Sequence, residues 1–397
     1  MIVQKKFNGE RLKNARLFRG LTLTELAFQT EISKQSLSLY ENNRNVPDHL
    51  KVRQLSVTLS FPYDFFFQED KSAAKTETTY FRSLASATKK DRTAQSIKLE
   101  YVAKMYEVLL NYIDFPGIKL PEVVFNGYDD IFECESEHSV KEIEGIAKHT
   151  RDFWRLGDSP IKDLQLTLEE NGIIVTGFGT NENKIDAFSQ RTIVQKNDIF
   201  LIAVALGEKP EGRIRFDMAH ELGHILMHPW SEDLDSIPVD EFKARERQAN
   251  MFASAFLLPR ESFGKDVQAY PTDLKYYQFL KNKWKVSMQA MVYRTHQLGI
   301  ISDNQYQYMM RQFSKNGWRT REPDDVPLQL GDNVLQGAIE LLIEQCIFSP
   351  KDILDVFKSQ GVTLYSGDIE ELLHLKKGTL DIEDKVVSII QLKSQED

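Results

Sequence analysis

Cysteine is nearly absent from this chain, with two residues, Cys134 and Cys346, among 397. They stand in unrelated contexts, which excludes a cysteine-based zinc site and suits a reducing compartment. No apolar run approaches the roughly 20 residues that cross a bilayer. The first residues, MIVQKKFNGERLKNARLFRG, hold no apolar segment followed by small residues. No secretory signal is therefore expected, and the expectation is a cytoplasmic protein with no membrane partner. Internal repeats and low-complexity tracts are missing too, which excludes a repeat architecture. What is there is 41% apolar and 27% charged, a globular composition on a chain too long for one ordinary core.

The net charge of −9 conceals an asymmetry. Residues 1–104 carry 18 Lys and Arg against 11 Asp and Glu, a balance of +7, and the remainder carries 32 against 48, a balance of −16. A basic front on an acidic body points to a polyanion as the partner of the front.

That front is punctuated for helices. Asn8 suits an N-cap, with Leu12, Ala15 and Leu17 or Phe18 on the inner side, and Gly20 is a natural stop. Thr22 and Glu25 have capping-box spacing and open a second helix with Leu23, Leu26 and Ala27 inward. Ser33 suits the N-cap of a third helix with Leu37 and Tyr40 inward, and a fourth follows with Leu50, Leu55 and Leu59 expected as its inner row. Two short helices joined by a tight turn, with small Ala27 at their crossing, make a helix-turn-helix arrangement. Over about residues 7–67, LTLTELA, IS and SLYENNRNVP resemble the XRE family of DNA-binding domains. One departure is Glu31 in a turn that usually has Gly, where a left-handed backbone costs about 1 kcal/mol. The resemblance implies double-stranded DNA as partner, with the third helix in the major groove. Ser33, Lys34, Gln35 and Ser38 would then face base edges, Gln35 suiting adenine and Lys34 guanine or a phosphate, with Asn43 and Arg44 near the backbone.

Beyond it, YDFFF looks like exposed aromatics, and a hinge is expected at about 69–78. Arg82, Lys89, Lys90 and Arg92 read as a solvated basic linker, and Leu99, Val102, Met105, Tyr106, Leu109 and Leu110 then repeat at helical spacing.

From about 137 helix and strand alternate. GIIVTGFG, KIDAFSQR and DIFLIAVA read as three strands, followed by the helix EGRIRFDMAHELGHILMHP. His220 and His224 are four apart, on one face of that helix, and both imidazoles can reach one ion. Glu221 stands next in sequence, beside the position left for water, as a general base in the His-Glu-x-x-His pattern. A third ligand is needed. A histidine six residues past His224 is excluded, since position 230 is Trp. The alternative is a glutamate on a second helix, DEFKARERQANMFASAFLLP, where Glu246 opens an apolar face of Phe242, Ala249, Phe252, Ala253, Phe256 and Leu257. A carboxylate aimed into a core needs a cation or donors to meet it. Asn250, one turn on, suits a residue orienting a ligand histidine. For His228 a hydrogen-bonding role outweighs a ligand role.

FDMAHELGHILMH followed by ERQANMFASAFLLP, with IDAFSQ upstream, resembles the ImmA/IrrE family of zinc-dependent peptidases over about residues 140–305. The resemblance implies Zn2+ held by His220, His224 and Glu246, with Glu221 as general base. The family more often has Glu where this chain has Gln248, a position read as surface-facing. Tyr293, Arg294 and His296 are candidates for stabilising an oxyanion, with structural roles favoured for each.

The fold class expected is multidomain. An all-α helix-turn-helix domain spans 1–69 and a basic linker with a connecting helix 70–136. An α+β zincin-like peptidase domain with a small sheet spans 137–305 and an α-helical C-terminal region 306–397, with stripes at Leu335, Ile339, Leu342, Ile343 and at Ile353, Leu354, Phe357. The tail can pack on the peptidase, dimerise or sense a signal. The resemblance implies cleavage of an XRE-type repressor, switching on genes of a mobile element or a stress response, with a homodimer among the expected partners. Two readings stay open. One is a regulatory zinc endopeptidase recruited through its own DNA-binding domain. The other is a transcription regulator whose peptidase-like domain senses a ligand or stress without proteolysis. The intact His-Glu-x-x-His with Glu246 favours the first.

Overall fold

The computed structural model describes residues 6–69, 75–81, 88–123, 137–179, 186–207, 209–230, 237–328 and 330–381. The N-terminal unit holds α1 (Gly9–Phe18), α2 (Leu23–Thr30), α3 (Lys34–Glu41) and α4 (His49–Leu59). Its caps are those the side chains suit. Asn8 accepts from the Glu10 amide, Thr22 and Glu25 close a capping box, and Ser33 accepts from the Ser36 amide. Glu31 is left-handed, with φ of 51°. The inner row of α4 is Val52, Leu55 and Leu59, while Leu50 is 80% exposed, against expectation. Counted back from Leu55, one turn falls at Lys51 and Val52 rather than at Leu50. YDFFF also departs from its reading. Tyr63–Phe67 form a 3-10 turn that buries Phe65 and Phe66 under α1 and α4.

The stretch read as a hinge contains a strand, β1 (Lys75–Phe81). Residues 70–74 lie outside the described residues, as do 82–87 with Arg82. The connecting helix, α5 (Lys89–Leu109), starts earlier than its apolar rhythm suggests, because Thr88 and Asp91 form a capping box. Lys90 is not a free linker cation: its ammonium meets Glu25 at 2.8 Å.

The chain continues through α6 (Glu137–Phe153), α7 (Leu164–Glu170), β2 (Ile173–Gly179), β3 (Ala187–Val194) and β4 (Asn197–Leu206). The sheet has four strands, in the order β1-β3-β4-β2, rather than the three expected from 137–305. β2 runs parallel to β4, and β3 lies antiparallel to both β4 and β1. Alternation divides its two faces. Ile173, Val175, Phe200, Ile202 and Val204 enter one core with α8 (Glu211–Met227) and α9 (Val239–Leu257). Ile174, Phe178, Leu201, Ala203 and Ala205 enter a second core with α5 and the N-terminal helices.

The first core also takes in α10 (Arg260–Val267), α11 (Leu274–Trp284), α12 (Met288–Gln297) and α13 (Asp303–Lys315), so it runs past 305 to Met309 and Phe313. The acidic tail, α14 (Val334–Glu344), α15 (Pro350–Ser359) and α16 (Ser366–Leu373), joins the second core. It touches both partners. Thr176 donates to the Leu372 carbonyl and Asn333 to those of Val175 and Leu373. On the other side Asp368 grips the Arg19 guanidinium with both oxygens, at 2.7 and 2.8 Å. Lys358 meets Asp64, and Thr363 meets Gln68. The sheet is thus a shared wall between helices α8 to α13 and an N-terminal helical unit clamped by the tail. No helix among the described residues is long and apolar enough to cross a membrane.

Candidate metal centre and helix-turn-helix surface

Gly223 sets the approach of α8 to α9. A Cβ there would stand 3.1 Å from the Phe252 ring and 3.3 Å from the Ala249 Cα. With hydrogen in that place the helices close, and Glu246 reaches the imidazoles one helix away. Its carboxylate lies 3.2 Å from His224 Nε2 and 3.5 Å from His220 Nε2, and those two nitrogens are 3.0 Å apart. Bonds of about 2.05 Å in tetrahedral array set ligand atoms about 3.3 Å apart. Among the described residues no other set of three His, Cys, Asp or Glu side chains converges in this way.

The protons follow from the outer partners, since imidazole tautomers are assigned by their hydrogen bonds. His220 Nδ1 donates to Asn250 Oδ1 at 3.1 Å, the orienting role its spacing suggested. His224 Nδ1 lies 2.8 Å from His228 Nδ1, and His228 Nε2 lies 3.1 Å from Gln248 Oε1. Gln248 Oε1 can only accept, so His228 carries its proton on Nε2 and accepts at Nδ1. His224 is then protonated on Nδ1. Burial, with the adjacent His224 ring, pushes the His228 pKa well below the ordinary imidazole range, so it stays neutral. Both inner Nε2 atoms therefore present lone pairs to each other and to a carboxylate, with no proton between them. That donor set fits a divalent cation and, without one, is mutually repulsive.

Gln248 corrects the sequence reading. It is 2% exposed, not surface-facing, and ends the His224–His228 chain. The signal was its position one turn before Phe252 on the buried side of α9. Ser189 was not singled out at all. Its hydroxyl donates to Glu221 Oε2 at 2.5 Å, from a fully buried position on β3, and so orients the general-base candidate. A strand residue that serves a helix 32 positions away leaves no local pattern.

Tyr293, Arg294 and His296 are engaged elsewhere. Arg294 is buried against Glu144 and the Leu258 carbonyl, His296 meets Asp303, and Tyr293 is 41% exposed beside Tyr306.

On the N-terminal unit, Lys34, Gln35 and Arg44 are exposed and Ser38 half-buried. The Ser33 hydroxyl is occupied as the α3 cap, bonded to both Ser36 atoms in reach. Asn43 is exposed, and its Oδ1 accepts from the Gly9 amide at 2.8 Å, which ties α1 to the end of α3.

Comparison with known proteins agrees with both halves. Residues 177–296 match the family model described as the IrrE N-terminal-like domain, and residues 9–69 match a helix-turn-helix domain model. No curated protein matches the chain at a significant level. The chain therefore joins an N-terminal, XRE-like helix-turn-helix domain to an ImmA/IrrE-like peptidase domain.

Proposed function

We propose that the protein is a regulatory zinc-dependent endopeptidase. Its substrate is a repressor-type protein, and its own helix-turn-helix domain brings it to double-stranded DNA. The observation that carries the reading is the convergence of two imidazole lone pairs and the Glu246 carboxylate beside a further carboxylate, Glu221, that Ser189 holds. His220, His224 and Glu246 would hold the metal. When bound, zinc supplies a Lewis acid that acidifies water and polarises a peptide carbonyl. Glu221, oriented by Ser189, accepts the proton of the attacking water and returns it to the leaving amine as the C–N bond breaks. Asn250 and the His228–Gln248 pair keep the two ligand rings in the tautomer with Nε2 free.

Glu246→Ala tests the metal. Two histidines alone hold zinc weakly, so occupancy measured by atomic emission should fall from about one zinc per chain to under about a tenth, with peptide hydrolysis lost alongside. Full occupancy in that variant would remove the metal reading.

The DNA part has its own test. Lys34→Ala and Gln35→Ala should each weaken binding to a selected site by about 1–3 kcal/mol more than binding to random duplex. Equal losses on both would reduce the domain to an electrostatic anchor.

A second reading is favoured by the shared sheet. The chain would be a transcription regulator in which an occupied centre changes how the helix-turn-helix unit sits, with no bond cleaved.

A further inference from the structure

Strand β1 is the outermost of the sheet and pairs with β3 alone. Its register sets Tyr80 opposite Ser189 and Phe81 opposite Phe188. Ser189 is the residue whose hydroxyl holds Glu221. The backbone of β1 thus runs along the edge of β3 at one strand spacing, about 4.8 Å, from the residue that orients the general base. An exposed strand edge is a template for an extended polypeptide, whose main chain bonds to it as an added strand. Here the chain supplies that strand from its own connecting segment.

β1 also reads as a strand built to come away. Lys75, Thr76, Glu77, Thr78 and Thr79 are polar residue types, and its ladder slips at an irregularity between Thr76 and Thr78. The Thr79 hydroxyl lies 3.1 Å from Gln190 and 3.2 Å from Ser96. Short polar pairs of this kind hold a strand weakly. In the chain it lies between the helix-turn-helix unit and α5, which pack on each other rather than on the metal-side core.

We propose that β1 is a self-supplied strand occupying the polypeptide-docking edge of the metal centre. The chain is closed as it stands, and it opens when β1 leaves β3 and an incoming extended segment takes its place. The inference rests on the peptidase reading only for the cleavage of a docked segment; docking itself is measured separately.

The test uses the full-length, zinc-loaded protein carrying Glu221→Gln, so that nothing is cut, and a fluorescein-labelled peptide of sequence KTETTYF. Adding Thr79→Pro and Tyr80→Pro together removes two adjacent amide donors, one of which faces β3 whichever way the ladder alternates. This variant should bind the peptide at least about tenfold more tightly than its parent, by fluorescence anisotropy. Amides of residues 188–193 should exchange at least about tenfold faster than in the parent, and peptide should slow them again. A second variant joins facing residues through Thr76→Cys and Thr192→Cys, with Cys134→Ser and Cys346→Ser. Oxidised, it should bind no peptide, and reduction should restore the parent's affinity. Equal affinity in the parent, the proline variant and the oxidised variant overturns the proposal. Peptide that docks on the proline variant but stays uncut once Glu221 is restored supports the docking edge and removes the peptidase reading.

Discussion

Glu221→Gln is expected to slow cleavage of the partner protein by about 10²–10⁴-fold, the usual contribution of a positioned general base, while zinc stays near one per chain. Glutamine keeps the shape, and its carbonyl oxygen accepts the Ser189 hydroxyl as the carboxylate does. What it loses is the capacity to take a proton. Glu221 lies outside the converging trio of His220, His224 and Glu246, so metal content, fold and DNA binding should all survive. The variant is therefore suited to a pull-down, since it should hold substrate without releasing it. Its effect on gene expression discriminates between the two functional readings. Loss of the response with metal retained identifies hydrolysis as the output. An intact response in cells would hand the role to the sensor reading, with zinc as a structural centre.

The second large effect is expected far from the metal. Arg16 and Glu41 form a two-point ion pair at 2.6 and 2.9 Å, with side chains only 8% and 5% exposed. Glu41→Ala leaves the Arg16 guanidinium buried without its counter-charge. The cost should be about 3–5 kcal/mol. Read as native-state hydrogen exchange of α1 and α3, that is about two to three and a half decades of lost protection. Binding to DNA should fail in parallel, because Glu41 is the last residue of the helix that presents Lys34 and Gln35. Replacing both partners, as Arg16→Met with Glu41→Leu, should restore most of the protection, since no charge then stays buried alone. A Glu41→Ala protein with wild-type exchange in α1 would show that water reaches the pair freely.

Most of this was legible where local rules act. The caps at Asn8, Thr22 and Ser33 are spacing rules, and each is met. The spacing of His220 and His224, and the odd carboxylate at Glu246 on an apolar face, marked residues that the structure brings together. What escaped reading is long-range. Gln190, fully buried, takes its bonds from Thr79 on β1 and Ser96 on α5, neither visible from β3. β1 is too polar to show the alternation of a half-buried strand, and it is held by one neighbour. Leu50 failed for the opposite reason: an apolar residue near an apolar row was assigned to it, although the helical period places it outside. The tail's stripes were visible, but amphipathicity says only that a helix has a buried side, not what covers it.

The Arg19–Asp368 grip has a consequence for how the molecule is made. The two residues stand 349 positions apart. A ribosome adding about 5–20 residues per second needs roughly 20–70 s to bring the second after the first. Through that interval the helix-turn-helix helices have emerged and capped themselves, yet the carboxylate that meets Arg19 beside Phe18 and Phe61 has not been synthesised. A nascent chain thus has its four N-terminal helices long before the tail that meets Arg19, Asp64 and Gln68 exists. Chains arrested ahead of residue 334 should accordingly be captured by chaperones that bind apolar surface, and completion of the last three helices should release them.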